Sequence, residues 1–213
     1  GSYHEIPFGA VKRPAGIELP AQNWVDYGDG ERGVAVLNRG LPGNNVAEGT
    51  MMLSLARSAR IQAYGYGGGY EPGMSSDTGF ELGKELTFDY ALVPHTGSWR
   101  EAGVYRDGME FNHPLLAHSA AAHPGVLPGR WGLLRIAPQA VVMTALKPGP
   151  DGTAVLRVFE ATGTPARATI RLSARVAAAE EVNILEDAGA GLAVTDDALQ
   201  LDLRAFEIKT VKL

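Results

Sequence analysis

Glycine and proline interrupt this chain so often that only short secondary-structure elements fit between them. The 213 residues include 27 glycines and 13 prolines, nearly a fifth of the chain, against about 12% in average proteins. Short apolar runs lie between these residues, which is the pattern of strands joined by turns. The sequence therefore predicts an all-β fold, and a β-sandwich is the architecture that such a series of short strands most naturally forms.

The apolar runs differ in the faces that they are predicted to bury. Residues 86–92 alternate, and this spacing predicts a strand with Leu86, Phe88, Tyr90 and Leu92 on one face. Two further alternations, at residues 168–173 and 199–204, predict strands with one buried face. Fuller apolar runs predict strands covered on both faces, and they lie at residues 33–37, 141–146 and 155–159.

Helical spacing is weak, and one segment rich in proline and glycine suggests a domain boundary. Residues 99–111 are predicted to be one short helix or an irregular crossover, because Gly103 and Gly108 would each cost about 1 kcal/mol in a helix. Residues 147–152 place two prolines, two glycines and an aspartate between two apolar runs. The predicted parts are a β-sandwich region over residues 1–147 and a small β-sandwich domain over residues 153–213.

Charge and composition exclude several classes of partner. The chain carries 24 acidic and 19 basic residues, a net charge of −5, so it lacks the excess of basic groups that binding to nucleic-acid phosphates requires. No run of about 18 apolar residues is present that would predict a membrane span. With no cysteine in the chain, disulfides and cysteine-ligated zinc are excluded. The lack of cysteine does not fix the compartment, although a cytoplasmic location is favoured.

The residues that could carry metal or acid–base chemistry form no specific motif. His113, His118 and His123 recur every five residues, whereas two ligands share a helix face at a spacing of three or four and a strand face at a spacing of two. Prolines follow His113 and His123 and favour extended backbone there, so an exposed loop is the preferred interpretation. Carboxylates are scattered through predicted loops, and no serine lies in a Gly-x-Ser-x-Gly motif. The sequence assigns no catalytic and no metal-binding residue.

A segment rich in tyrosine and glycine, residues 64–73, is the most unusual stretch of the chain. Its glycine spacing is similar to that of phosphate-binding loops, but such loops lead into a helix, and the Pro-Gly pair that ends this segment gives no helix start. Tyrosines on a permissive backbone can instead stack on the apolar faces of sugars and donate hydroxyl groups. The alternative is a loop whose tyrosines pack on the protein's own surface. The candidate sugar-binding residues are Tyr66 and Tyr70, together with Asn45, which follows a Pro-Gly turn.

Several short motifs occur along nearly the whole chain in the order in which one enzyme family carries them. They are Glu5-Ile6-Pro7-Phe8-Gly9 with Arg13-Pro14, residues 21–26 with 33–38, residues 90–95 with 99–103, Asn112-His113-Pro114-Leu115, and residues 181–186 with 206–210. In this order they resemble the C-terminal β-region of glycoside hydrolase family 38, the α-mannosidases. The chain departs from the family at residues 41–45, where relatives often have Lys-Tyr-Gly-Tyr-Asp, and its tyrosine–glycine segment is longer than the common form.

The resemblance implies that the chemistry lies outside this chain. The family's enzymes hydrolyse α-mannosides with retention of configuration, using an aspartate nucleophile, a carboxylic acid and a zinc ion that all lie in an N-terminal α/β domain. No catalytic or zinc-binding residue is therefore assigned to this chain, no cofactor is expected in it, and zinc is expected in the absent catalytic domain. The implied fold is part of a galactose-mutarotase-like super-sandwich followed by a small C-terminal β-sandwich.

The function that the resemblance implies is support of the catalytic α/β domain, the expected partner, in an enzyme that cleaves α-mannosidic bonds of glycans or oligosaccharides. Mannose-containing glycans are candidate ligands through Tyr66, Tyr70 and Asn45. A free-standing carbohydrate-binding module and a purely structural interaction module are the alternatives. Because the first motif falls partway through the family's β-region, earlier strands would be missing, and we expect an open edge that a second copy could cover in a homo-oligomer.

Overall fold

The computed structural model describes residues 1–56, 85–187 and 189–213, with backbone alone for Asp151, and also the backbone of residues 62–64 and 70–75. Strands make up most of the regular structure, which confirms the predicted all-β class. In chain order the strands are β1 (Ser2–Ile6), β2 (Gly9–Arg13), β3 (Leu19–Pro20), β4 (Trp24–Gly28), β5 (Arg32–Asn38), β6 (Gly43–Ala47), β7 (Thr50–Leu53), β8 (Gln62–Tyr64), β9 (Tyr70–Ser75), β10 (Tyr90–Thr96), β11 (Leu134–Ala137), β12 (Val141–Pro148), β13 (Ala154–Glu160), β14 (Ala166–Leu172), β15 (Ala179–Val182), β16 (Ala190–Leu192), β17 (Val194–Thr195), β18 (Ala198–Leu203) and β19 (Ile208–Lys212). The described helices are α1 (Trp99–Ala102), α2 (Val104–Asn112) and a 3₁₀ turn at Pro150–Gly152.

The N-terminal half is built on a five-stranded antiparallel sheet, the first sheet, with the strand order β10-β5-β4-β1-β2. The three-stranded sheet β3-β6-β7 covers part of one face, where Val25 of β4 packs with Ala21 and Val46. Helices α1 and α2 cover the other face, where the ring centroids of Trp24 and Trp99 lie 5.0 Å apart. The first sheet thus has a helical side and an outer side.

Local capping signals define helix α1, and a glycine in α2 allows this helix to pack closely on the first sheet. Glu101 and Ser98 form a capping box at the start of α1, in which the Ser98 backbone N–H donates to the Glu101 carboxylate at 2.8 Å. Gly103 ends α1 with a φ of +77°, a left-handed conformation that favours glycine. Gly108 in α2 lets Trp24 approach closely, because a Cβ at this position would lie 2.6 Å from the Trp24 ring. Within the described residues, no helix has the length and apolar character needed to cross a membrane.

The C-terminal half is a sandwich of two antiparallel sheets, β11-β14-β18-β17 and β12-β13-β19-β15-β16. Their facing side chains form one core, in which the largest almost fully buried members are Leu156, Val158, Ile170, Leu199 and Leu201. Burial of each such side chain stabilises the fold by about 1.5–3 kcal/mol. Strands β11 and β12 pair with β14 and β13, so the turn at residues 147–152 lies inside this half. The division of the chain at residues 147 and 153 stays a prediction.

A buried carboxylate organises the contact between the two halves. Glu160, at the end of β13, is fully buried. Its carboxylate accepts hydrogen bonds of 2.7 to 3.1 Å from the backbone N–H groups of Thr162, Gly163, Thr164 and Phe206. The turn held in this way presents the Thr162 carbonyl to Arg100 of α1, whose Nε donates to it. Glu160 therefore positions the acceptor through which the sandwich contacts the helical side of the first sheet.

The strand predicted over residues 86–92 begins later than predicted, and the face that carries Tyr90 and Leu92 is the exposed one. Strand β10 begins at Tyr90, so the first four residues of this run lie outside it. Tyr90 and Leu92 are 53% and 64% exposed on the outer side, while Ala91 and Val93 pack with the helical side. The smaller side chains of the strand fit beneath the helices, and an alternating pattern does not say which of its two faces will be covered.

The burial of the fuller apolar runs depends on the position of each strand in its sheet. Residues 155–159, in the interior strand β13, are buried on both faces as predicted. Of residues 33–37, the last three are buried as predicted, whereas Gly33 is half-buried and Val34 is 37% exposed. Residues 141–146 contradict the prediction, because β12 is the end strand of its sheet and leaves Met143 and Leu146 exposed.

Candidate functional site

A cleft with apolar walls and several polar groups lies where the two halves of the chain meet. It lies between the β1–β2 turn at Pro7 and Phe8, the end of α2 at Met109 and His113, and the edge strand β12 at Met143. We call it the junction cleft. Its volume is about 610 Å³, within the range of about 300–1,000 Å³ that is typical of small-molecule sites.

Aromatic and thioether side chains form the apolar wall of the junction cleft. Phe8 occupies the two-residue turn between β1 and β2 with a φ of +59°. Its ring meets that of Phe159 edge to face, with 5.5 Å between centroids, yet Phe8 is still 40% exposed. Met109 and Met143 line the cleft beside this pair. The turn therefore presents an aromatic ring to solvent that packing against Phe159 holds in place.

Glu5 provides a carboxyl group at the edge of this apolar wall. The backbone N–H of Asn23 donates to the Glu5 Oε2 at 2.7 Å. Burial raises the pKa of Glu5 from 4.5 to about 7, and the hydrogen bonds from the Asn23 backbone and side chain only partly oppose this effect. Near neutral pH the Glu5 carboxyl is therefore present in both protonation states, so it can donate as well as accept a hydrogen bond.

The charges around the junction cleft do not suit an anion. The described residues that line it include Glu5, Glu110 and His113 but no lysine or arginine. His113 Nδ1 lies 2.9 Å from the carbonyl oxygen of Met109, so this nitrogen carries the proton and donates. In the neutral form of the ring, Nε2 is therefore the acceptor nitrogen. The polar groups of the cleft thus match a neutral ligand rich in hydroxyl groups, or a cation.

A second polar constellation lies at the helical side of the first sheet. His95 Nε2 and Asp26 Oδ1 are 2.7 Å apart, and both side chains are almost fully buried. Burial raises the pKa of Asp26, opposed by its hydrogen bond to His95. Gly33 lies between them on β5, where a Cβ would be 2.5 Å from the His95 ring. The pair ties β4 to β10 across β5. Among the described residues, no group of three or more histidines and carboxylates is arranged to hold a metal ion.

Comparison with known families and structures decides the family. The model of the glycosyl hydrolases family 38 C-terminal domain matches residues 3–63, and that of the family 38 C-terminal beta sandwich domain matches residues 140–211. The chain belongs to glycosyl hydrolase family 38. It matches the C-terminal region of these proteins, as the motif order predicted, and the family's second model includes β12 to β19.

The curated relatives of this family 38 chain are far longer than the chain itself. Alpha-mannosidase 2C1 of Mus musculus and that of Homo sapiens are each 30% identical to it over 99% of the chain and 20% of their own length. Alpha-mannosidase G of Dictyostelium discoideum is 26% identical over 75% of the chain. An alpha-mannosidase and another family 38 protein, both from Enterococcus faecalis, share the fold over the whole chain with TM-scores of 0.75 and 0.78, at 23% and 24% identity. The chain spans about a fifth of the curated family 38 proteins that it matches most fully.

None of the three predicted sugar-binding residues is among the described residues that line the junction cleft. Tyr66 lies outside the described residues, and Tyr70 begins β9, of which only the backbone is described. Asn45 lies in β6 opposite Met52, and its Oδ1 is buried without a hydrogen-bond partner in the described part of the chain. A role for these three residues in sugar binding stays a prediction.

Sequence reasoning missed the junction cleft, although three of the family 38 motifs border it, namely those that begin at Glu5, Ala21 and Asn112. The motif that begins at Glu5 supplies the carboxyl group and Phe8, and the motif that begins at Asn112 supplies His113. Their juxtaposition was the signal that could have revealed the site, but the motifs are about a hundred residues apart. Without the fold, neither motif indicates that the other is its neighbour.

Proposed function

We propose that this chain is the non-catalytic C-terminal β-region of an α-mannosidase-like glycoside hydrolase, and that it supports a catalytic α/β domain carried by the rest of the parent enzyme. One observation carries this proposal: curated alpha-mannosidases match 99% of this chain with only 20% of their own length. The parent enzyme would hydrolyse α-mannosidic bonds in glycans or oligosaccharides. The zinc ion of the family's chemistry would belong to the catalytic domain.

The surface that best suits such a partner is an outer edge patch formed by Val34, Tyr90 and Leu92. Strand β10 ends the first sheet, and no other described strand pairs with its free edge. Tyr90–Thr96 contains no lysine, arginine, aspartate or glutamate, the side chains that commonly protect an exposed edge from pairing. Pro94 removes one backbone donor, but the N–H and C=O groups of β10 that do not bond to β5 can still pair with another strand. An extended segment of the parent enzyme can add to this edge and cover Leu92.

The test reconstitutes the parent enzyme from two polypeptides, this chain and the part that precedes it. We expect the two to sediment together and the hydrolysis of a chromogenic α-mannoside to increase when this chain is added. Leu92→Lys should weaken the association by about tenfold or more, because it places a charge on the apolar contact. Leu185→Lys is the matched control, since Leu185 is 78% exposed in the C-terminal half and lies away from the patch.

The outcomes separate this proposal from its alternatives. Hydrolysis by this chain alone, or no association with the preceding part, would overturn the supporting role. Self-association that Leu92→Lys abolishes would assign the patch to a second copy instead of the parent enzyme. Sugar binding by this chain, combined with no effect on the preceding part, would favour the free-standing carbohydrate-binding module.

A further inference from the structure

The junction cleft has no role in the proposed support of a catalytic domain. It combines an exposed aromatic ring at Phe8 with convergent polar groups at Glu5, Asn23 and His113. We propose that the junction cleft is a binding site for a neutral carbohydrate, a mono- or disaccharide, that packs its apolar face against Phe8 and directs hydroxyl groups to these polar side chains. This site would lie entirely within the described residues of this chain.

Shape and composition support a small ligand. A volume of about 610 Å³ is ample for one or two sugar rings and lies within the usual range for small-molecule sites. Apolar side chains from both halves of the chain form the walls, and the aromatic pair Phe8–Phe159 fixes one of them. An aromatic ring held in place in this way loses little conformational entropy when a ligand packs against it.

The hydrogen-bonding groups favour hydroxyl groups over ions. No lysine or arginine is present among the described lining residues to balance a phosphate or carboxylate. Glu5 can donate when protonated and accept when ionised, and its pKa of about 7 makes both forms available near neutral pH. In the neutral form of its ring, His113 keeps Nε2 as an acceptor because Nδ1 donates to the Met109 carbonyl. A sugar hydroxyl, which both donates and accepts, can satisfy either group.

A cation is the competing ligand, and pH distinguishes the two. The charged or titratable groups that line the cleft with Glu5 are Glu110 and His113 of α2, while β12 contributes only Met143–Leu146, none of them charged. A hydroxyl group can accept a hydrogen bond from protonated Glu5 and donate one to ionised Glu5, so the affinity for a sugar should change less than about twofold between pH 6 and pH 8. A cation would bind more tightly over the same change.

The experiment is a calorimetric titration of this 213-residue chain with methyl α-mannoside, methyl α-glucoside and α-linked mannobiose. We expect a dissociation constant of about 1 mM or tighter for at least one of these sugars. Phe8→Ala should weaken binding at least tenfold. Phe8→Leu keeps an apolar side chain against Phe159, so this variant should fold. It should nevertheless bind the sugar more weakly than the unaltered chain does, because the aromatic ring is lost. Leu127→Ala is the matched control at an exposed apolar residue outside the cleft, and it should bind as tightly as the unaltered chain.

Several results would overturn the proposal that the junction cleft binds a carbohydrate. Absence of heat with all three sugars at 20 mM would do so, as would binding that Tyr66→Ala or Tyr70→Ala abolishes while Phe8→Leu leaves it unchanged. Binding of n-butylammonium that strengthens from pH 6 to pH 8 and excludes the sugars would assign the cleft to a cation instead. None of these results depends on the catalytic partner, so this site and the supporting role can fail separately.

Discussion

Replacing Glu5 by glutamine should stabilise the fold at pH 7.5 and leave its stability almost unchanged at pH 4. Burial raises the pKa of Glu5 from 4.5 to about 7. Below pH 4.5 the carboxyl is protonated in both the folded and the unfolded chain. Between pH 4.5 and 7 only the unfolded chain loses the proton, so the fold loses stability as the pH rises, and above pH 7 the full cost is present. Glutamine cannot ionise and avoids this cost, while its side-chain oxygen can still accept from the Asn23 N–H.

The size of the effect follows from the shift. A shift of about 2.5 pKa units corresponds to about 3 kcal/mol if it is fully expressed. Glu5 is only partly buried, so solvent screening should reduce the effect to about 1–2 kcal/mol. For a chain of this length, that difference corresponds to an increase in Tm of about 3–6 °C at pH 7.5. Burial and the charge of Arg13 lower the pKa of His4 to about 4. This shift makes the fold more stable as the pH rises from 4 to 6.5, which is opposite to the effect of Glu5. His4 is present in both proteins, so its contribution cancels in the comparison.

The assay is urea unfolding of the unaltered chain and of Glu5→Gln at pH 4, 5, 6, 7 and 8. The difference in the free energy of unfolding should grow across this range and level off above pH 7. Glu110→Gln is the control, because the Glu110 side chain is 73% exposed beside the same cleft and should give a difference that does not grow with pH. A constant difference for Glu5→Gln, or one that shrinks with rising pH, would refute the argument that burial controls this carboxyl group.

Three further substitutions test the contacts that hold the site in place. Glu160→Gln replaces an acceptor of four backbone N–H groups by a side chain with one acceptor oxygen. Thermal unfolding should show that the free energy of unfolding falls by about 2–4 kcal/mol. A decrease of less than about 1 kcal/mol would contradict the role of this carboxylate. Gly33→Ala should displace His95 from Asp26, because the added Cβ would lie 2.5 Å from the ring. The NMR signals of the His95 ring should shift, and unchanged ring signals would contradict this prediction. Arg100→Met keeps the aliphatic stem but removes the donor to the C-terminal half, and limited proteolysis at the junction should become faster without loss of either half's strands by circular dichroism.

Local pattern predicted the class of the fold but not the side of each strand that is covered. The run at residues 155–159 was predicted correctly because β13 is an interior strand with a sheet neighbour on each side and a core on each face. The equally apolar run at residues 141–146 forms an edge strand, and its exposed side chains line the junction cleft. Both runs are mainly apolar, and the difference in their burial comes from neighbours that are distant in sequence.

The two glycines at residues 103 and 108 also could not be interpreted from the local sequence alone. In isolation, Gly103 and Gly108 weaken a helix at residues 99–111, which is why an irregular crossover was an open alternative. In the fold, Gly103 separates two helices at a left-handed position, and Gly108 makes room for Trp24. The tertiary contact with Trp24 offsets an intrinsic cost of about 1 kcal/mol, and no local rule contains that contact.

In the motif that begins at Asn112, one residue fixes the backbone to the first sheet and the next residue lines the junction cleft. Asn112 donates through Nδ2 to the carbonyl oxygens of Asn38 on β5 and Gly108 on α2, at 2.9 and 3.0 Å. These bonds fix the end of α2 to the first sheet, and they therefore determine where His113, the next residue, lies. The β1–β2 turn does the same for Phe8 from the opposite side. Both motifs belong to the N-terminal half, and Met143 and Phe159 of the C-terminal half complete the cleft. The site therefore needs anchored residues in the first half and the packing of the second half against them, because neither half could position all the walls alone.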